Sequence, residues 1–137
     1  MARNVFLSFV EEDLALVNLF RGQAKNENND LSFSDFSVKE PFDSSHAEYI
    51  RRQIKDLIKK VSVTLCLIGE TTSKSKWVAW ELRTSLELDK GLVGVRLHSS
   101  GKDIPPQVLN NGKAEIVNWD IKEIVKAIER AAKKAGY

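Results

Sequence analysis

The run Val61 to Ile68, closed by Gly69, constrains the fold more than any other stretch. It reads as a strand that is apolar on both faces. Such a strand has no wet side, and it belongs where helices cover a parallel sheet from above and below. The elements around it should therefore alternate between strand and helix.

The rest of the chain supplies that alternation. Val5 to Val10, interrupted by Ser8, reads as a first and central strand. It stops at Glu11-Glu12-Asp13, acids that suit the first turn of a helix, where negative charge meets the positive end of the dipole. That helix carries Leu14, Val17 and Phe20, should break near Gly22, and is followed by an all-polar surface loop, Asn26 to Asp30. Leu31 and Phe33 alternate with Ser32 and Ser34 at a period of two, the mark of a half-exposed second strand that could extend to Phe36. After a loop stiffened by Pro41, Ser45 and Glu48 form an S-x-x-E capping pattern. The helix beyond it has an apolar stripe (Ala47, Ile50, Ile54, Leu57, Ile58, Val61) and a basic side (Arg51, Arg52, Lys55, Lys59) that reads as a solvated face.

A further helix is expected from Lys76 to Asp89, with Ser75 as N-cap and Gly91 as its left-handed stop. Leu92 to Leu97 reads as a fourth strand. Ser99 to Asn111, with Gly101, Pro105 and Pro106, is expected to be irregular. Ala114 to Trp119 is a fifth strand ending at Asp120. The last helix places Ile121, Ile124, Val125, Ile128 and Ala132 on one side, with Glu129 and Lys133 paired on the other. The expected fold is α/β: a flavodoxin-like open, mostly parallel five-stranded sheet with helices on both faces, one domain over residues 1–137.

Composition removes several functions. Twenty-one basic and 19 acidic side chains leave a net charge of only +2, which argues against nucleic acid or an anionic membrane as main partner. The apolar runs fall far short of the ~20 residues of a spanning helix, and Met-Ala-Arg-Asn-Val lacks the apolar core of a secretory signal. The sole cysteine, Cys66, lies in the apolar strand as a small hydrophobe rather than a nucleophile. A lone cysteine fits a reducing, cytoplasmic setting. His46 and His98 stand apart and suggest no metal set. Neither standard phosphate-cradling glycine loop is present. A phospho-receiver could draw magnesium ligands from Glu11, Glu12 and Asp13, but the third strand ends in Gly69-Glu70, with no aspartate to phosphorylate.

The stretch most suggestive of chemistry is Ser73 to Leu82, at the carboxyl end of the third strand, where open α/β sheets bind ligands. Trp77 and Glu81 are four apart and share a helix face. On spacing alone, Trp77 and Trp80 are core anchors and Glu81 a solvated helix residue. The alternative is a site for a ligand that is flat at one end and hydroxylated nearby.

Three motifs decide how that stretch is weighed: Val-Phe-Leu-Ser-Phe (5–9), Phe-Ser-Asp-Phe-Ser (33–37) and Ser-Lys-Trp-Val-Ala-Trp-Glu-Leu (75–82). With them the chain resembles, almost end to end, a TIR domain, and in particular the bacterial TIR-like group of Thoeris anti-phage sensors. Enzymatic TIR domains carry W-x-x-x-E, which Trp77 and Glu81 match; many have a cysteine after the tryptophan, where this chain has Val78.

The resemblance implies an NAD glycohydrolase or ADP-ribosyl cyclase with NAD as substrate, no cofactor and no metal. Glu81 would be catalytic. Ser8 and Phe9 would line the pocket floor, Trp77 would pack on the nucleoside, and Asp35 and Ser37 would complete the substrate contacts. The loop from Ser37 to Phe42 would close the site, often with a neighbouring copy, so self-association is expected. A phage-derived trigger and an effector that reads ADP-ribose or a cyclic ADP-ribose signal would be its partners. One carboxylate suffices for this chemistry, because nicotinamide leaves as a neutral molecule from a cationic ring and needs no general acid. Ordinary glycoside hydrolysis needs two. TIR folds also serve as interaction modules without chemistry, so a non-enzymatic binding role is the alternative.

Overall fold

The computed structural model describes residues 3–27, 30–36, 40–111 and 114–137. Its five strands, β1 (Arg3–Ser8), β2 (Leu31–Ser34), β3 (Val63–Ile68), β4 (Gly91–Arg96) and β5 (Glu115–Asn118), form one sheet in the order β2-β1-β3-β4-β5. Every pairing is parallel. The helices are α1 (Leu14–Asn26), α2 (Ala47–Lys59), α3 (Lys76–Glu87), the short α4 (Gln107–Asn111) and α5 (Ile121–Lys134). The expected flavodoxin-like architecture is present.

Alternation along the strands sorts the core into two layers. Val5, Leu7, Leu65 and Val93 face α1 and α5, against Val17, Phe20, Ile124 and Ile128. On the other face Phe6 meets Ile50, Ile54 and Ile58 of α2, while Cys66 and Ile68 meet Val78 and Leu82 of α3. All of β3 is buried, as its composition requires. The chain passes from β1 out to β2 and then back across to β3. The strand order therefore reverses between β1 and β3, and their carboxyl ends open a crevice there.

Several boundaries differ from the sequence reading, each for a physical reason. β1 begins and ends two residues early, so Phe9 and Val10 belong to the turn beyond it, and Glu11–Asp13 form a 3-10 turn ahead of α1. Gly22 does not break α1, which runs on to Asn26; buried Phe20 and Ala24 hold both sides of it, against a propensity cost of about 1 kcal/mol. The Ser45–Glu48 capping box does not form: α2 starts after His46, with no side-chain cap. Asp89, at φ 59°, makes the left-handed stop of α3. Gly91 instead opens β4, because a Cβ there would sit 2.7 Å from the Ala131 carbonyl of α5. The end of the Ser99–Asn111 segment is helical, and its Leu109 packs into the α3 layer. Glu129 is bound by Arg3 at 2.8 Å and 3.0 Å rather than by Lys133. No helix among the described residues is long and apolar enough to cross a membrane.

Candidate active site

The crevice between β1 and β3 is where the two most informative residues meet. Ser8 is the last residue of β1 and faces the α3 side of the sheet, fully buried. Ser75 fixes the start of α3, its Oγ accepting the Val78 backbone N–H at 3.1 Å. Glu81 then falls one turn after Trp77, and it is not solvated: only 4% of it is exposed. The Ser8 hydroxyl donates to Glu81 Oε1 at 2.7 Å.

Burial dominates the chemistry of this carboxyl. Desolvation pushes Glu81 up to about 8; the Ser8 hydrogen bond pulls it down, and the charge of Asp35 pushes it further up. With no ligand, the group is therefore largely neutral at pH 7. A cation placed against it would favour the ionised form.

Two residues invisible to motif reading hold Glu81 in place. Ser85, four residues on, donates to the Glu81 carbonyl at 2.8 Å, and its Oγ lies 2.7 Å from Thr64 Oγ1 in β3. This buried hydroxyl pair ties the turn carrying Glu81 to the sheet. The only sequence signal for it is a serine at i+4 on a buried helix face.

Glu81 lines a cleft of about 490 Å³ together with Phe9, Glu11, Glu12, Phe36, Ser75 and Trp77. Phe9, Trp77 and Glu81 thus share one cavity, with Ser8 bonded to the carboxyl at its floor. Asp35 stands apart from the walls and is ion-paired with Arg21 of α1. Ser37 lies outside the described residues.

Trp77 is both anchor and wall. It packs on the α2 layer, and its Nε1 donates to the Glu40 carbonyl at 3.0 Å. Phe42 meets it edge-on at 4.9 Å. Arg51 of α2 completes the cluster. Its guanidinium lies 4.3 Å over the Phe42 ring and 5.6 Å over Trp77, and it donates to the Phe42 carbonyl at 2.9 Å. One member of the expected solvated face is therefore a clamp on the loop beside the cleft. Cys66 is buried next to Ser8 in the register, and burial pushes its thiol far above the usual range, which leaves it inert.

This geometry can hold a polyhydroxylated, flat-ended molecule against one buried carboxyl. Comparison with known proteins places the chain in a family. Residues 6–102 match the model of the TIR-like domain of Thoeris protein ThsB. A Bacillus cereus (strain MSX-D12) protein provisionally named cyclic ADP-D-ribose synthase ThsB1 is 28% identical over 103 residues, 72% of this chain and 54% of the relative. The chain thus spans about half the length of that relative. The TIR domain of the Toll-related receptor TRR-2 from Hydra magnipapillata superposes with a TM-score of 0.57 at 15% identity, covering 97% of both chains. A diflavin flavoprotein A3 from Nostoc sp. gives 0.52 at 10% identity, over 98% of this chain and 94% of that one. At those identities the two structures speak for the fold alone. The family match, spanning most of the chain and including the Ser8–Glu81 pair, shows that this protein belongs to the TIR-like domain family of Thoeris protein ThsB.

Proposed function

We propose that this domain cleaves the bond between nicotinamide and ribose in NAD, yielding ADP-ribose or a cyclic ADP-ribose signal, as a cytoplasmic sensor in prokaryotic anti-phage defence. The observation that carries the reading is the buried Ser8–Glu81 pair at the floor of a cleft walled by Trp77 and Phe9. The name of the Bacillus cereus relative supports the same chemistry.

In this reading the nicotinamide ring brings its positive charge to the neutral Glu81, which gives up its proton to solvent water as the cation arrives. Ser8 occupies one carboxylate oxygen and leaves the other for the ribose hydroxyls. As the glycosidic bond lengthens, positive charge moves onto the ribose carbon, and the carboxylate opposes it in a dry site where the attraction is strong. Trp77 and Phe9 pack on the nucleoside. Asp35, held by Arg21 outside the cleft walls, adds its charge to the field at Glu81. Nicotinamide departs neutral. Water then gives ADP-ribose, whereas attack by the adenosine part of the same molecule gives the cyclic product. Self-association, a phage-derived trigger and an effector that reads the product belong to this proposal.

The test is chromatography of NAD incubated with concentrated protein, with and without a crowding agent, alongside Glu81→Gln. Release of nicotinamide by wild type and its loss in the variant support the proposal; equal cleavage by a folded Glu81→Gln protein defeats it. One observation favours a binding module without chemistry: Trp77 and Glu81 already have partners within the chain. Wild type that cleaves no NAD under any assembly condition would establish that reading.

A further inference from the structure

The turn between β3 and α3 takes no part in the chemistry assigned to Glu81, yet Thr71, Lys74 and Ser75 all line the cleft. Its run Thr71-Thr72-Ser73-Lys74-Ser75 holds four hydroxyl side chains and a lysine, a composition that suits an anion. How the turn is pinned decides which of these groups face a ligand.

Thr72 is the peg. It is fully buried, and its Oγ1 accepts the Gly69 backbone N–H at 2.7 Å. Thr72–Lys74 form one 3-10 turn. The Lys74 N–H donates to the Thr71 carbonyl at 3.0 Å, and the Ser75 N–H to the Thr72 carbonyl at 3.1 Å. Ser75 then caps α3 by accepting the Val78 N–H, which leaves its own hydroxyl hydrogen to donate. Thr71 and Lys74 stay exposed on this fixed frame, both on the cleft.

Among the described residues, Lys74 is the one cation in the lining of the cleft, and its ammonium has no ion pair or hydrogen bond there. Its neighbour Lys76 is engaged by Asp43 at 3.4 Å. The other charged groups of the lining are Glu81 and, on the turn after β1, Glu11 and Glu12. An anionic group that enters the cleft is repelled by the acids and has Lys74 as its one charged partner, with the Thr71 and Ser75 hydroxyls beside it in the sequence of the turn.

We propose that the Thr71–Ser75 turn is the seat for the diphosphate of a dinucleotide, with Lys74 as the binding residue that meets its charge. The inference rests on the NAD reading of Glu81 and deepens it, because it names what holds the part of the substrate that does not react. A ligand cationic at one end and anionic in its middle finds a carboxyl and a lysine in one cleft. A contact remote from the breaking bond holds ground state and transition state alike, so Lys74 should act on KM rather than on kcat.

The seat can be tested without turnover. Binding of ADP-ribose, which carries the diphosphate but no nicotinamide, is measured by calorimetry at low and high salt with wild type, Lys74→Gln and Lys74→Arg. Wild-type affinity should fall as salt rises. Lys74→Gln should bind on the order of tenfold more weakly and respond less to salt, and Lys74→Arg should recover most of the loss. Nicotinamide riboside, which has the cationic ring and the ribose but no phosphate, should bind all three proteins alike. Inorganic pyrophosphate should compete far less well than ADP-ribose. The proposal is overturned by wild type that does not bind ADP-ribose, by binding indifferent to Lys74, by equal weakening of both ligands, or by pyrophosphate that competes as well as ADP-ribose. NAD turnover by the same proteins keeps the two ideas apart. ADP-ribose held through Lys74 without any release of nicotinamide from NAD defeats the cleavage reading alone. Release of nicotinamide with a KM untouched by Lys74→Gln defeats the seat alone.

Discussion

Ser8 and Glu81 are 73 positions apart in sequence and 2.7 Å apart in space. The hydroxyl belongs to the end of a central strand and the carboxyl to the second turn of α3, so the bond spans the crevice at which the strand order reverses. Since the bond favours the ionised carboxyl, removing it should move the titration of Glu81 upward. We expect kcat/KM for NAD in wild type to rise with pH toward about 8, and in Ser8→Ala to keep rising to higher pH, because this parameter reports groups of the free enzyme. Superimposable pH profiles of the two proteins would refute that role for Ser8.

Glu81 should also set a pH dependence of stability. Its folded value lies near 8 against an ordinary 4.5, so the folded state retains a proton that the unfolded chain gives up. Stability is then greatest below about 4.5 and falls as pH rises toward 8, with a slope of at most about 1.4 kcal/mol per pH unit from this group. Glu81→Gln should keep the fold, gain stability relative to wild type as pH rises, and lose turnover on the order of 100-fold. Urea midpoints from pH 5 to 9 measure the first effect. A constant difference between the two proteins across that range would contradict it.

Arg51 should control the loop beside the cleft. It covers the Phe42 ring and binds the Phe42 carbonyl, so Arg51→Ala removes a cation–π contact and a charge-assisted hydrogen bond together. The expected loss of stability is about 1–2 kcal/mol. In a Trp80→Phe/Trp119→Phe background, where Trp77 is the one tryptophan left, its emission should shift to the red as Phe42 leaves it. Phe42→Asp should behave alike, since this ring packs on Trp77 and is not a free loop tip. Unchanged emission in both variants would show that the loop is held by other contacts.

A site completed by a neighbour's loop should respond to concentration. Specific activity on NAD should rise over a tenfold range of protein concentration and fall on dilution. Constant specific activity across that range would mean that each domain works alone.

Much of the architecture was legible because it is written in local pattern. Val61 to Ile68 could be nothing but a covered strand, and the stripe of α2 matches its buried residues Ala47, Ile50, Ile54 and Ile58. The Trp77–Glu81 spacing placed a carboxyl and an aromatic on one helix face. What the sequence concealed depends on tertiary partners. Arg51 looks like any solvated arginine until the loop folds back onto it, and Ser85 looks like any helical serine until Thr64 meets it. The S-x-x-E pattern failed because the turn before α2 satisfies itself through the main chain: the Ser44 N–H donates to the Pro41 carbonyl, and the Ala47 N–H to the Ser44 carbonyl. His98 appeared isolated because its partner, five residues on, lies in a segment whose glycine and prolines hide a tight loop.

The sheet ends at both sides in strands of four residues, β2 and β5, against six in each of the three between them. So short a border offers an arriving strand few main-chain groups, and on β5 Arg130 grips Glu115 with two bonds of 2.7 Å across the approach. Copies of this domain that gather will not merge into one continuous β-ribbon. Their meeting ground is the helices and the connecting turns, so crowding should yield separable particles whose circular dichroism matches that of dilute protein.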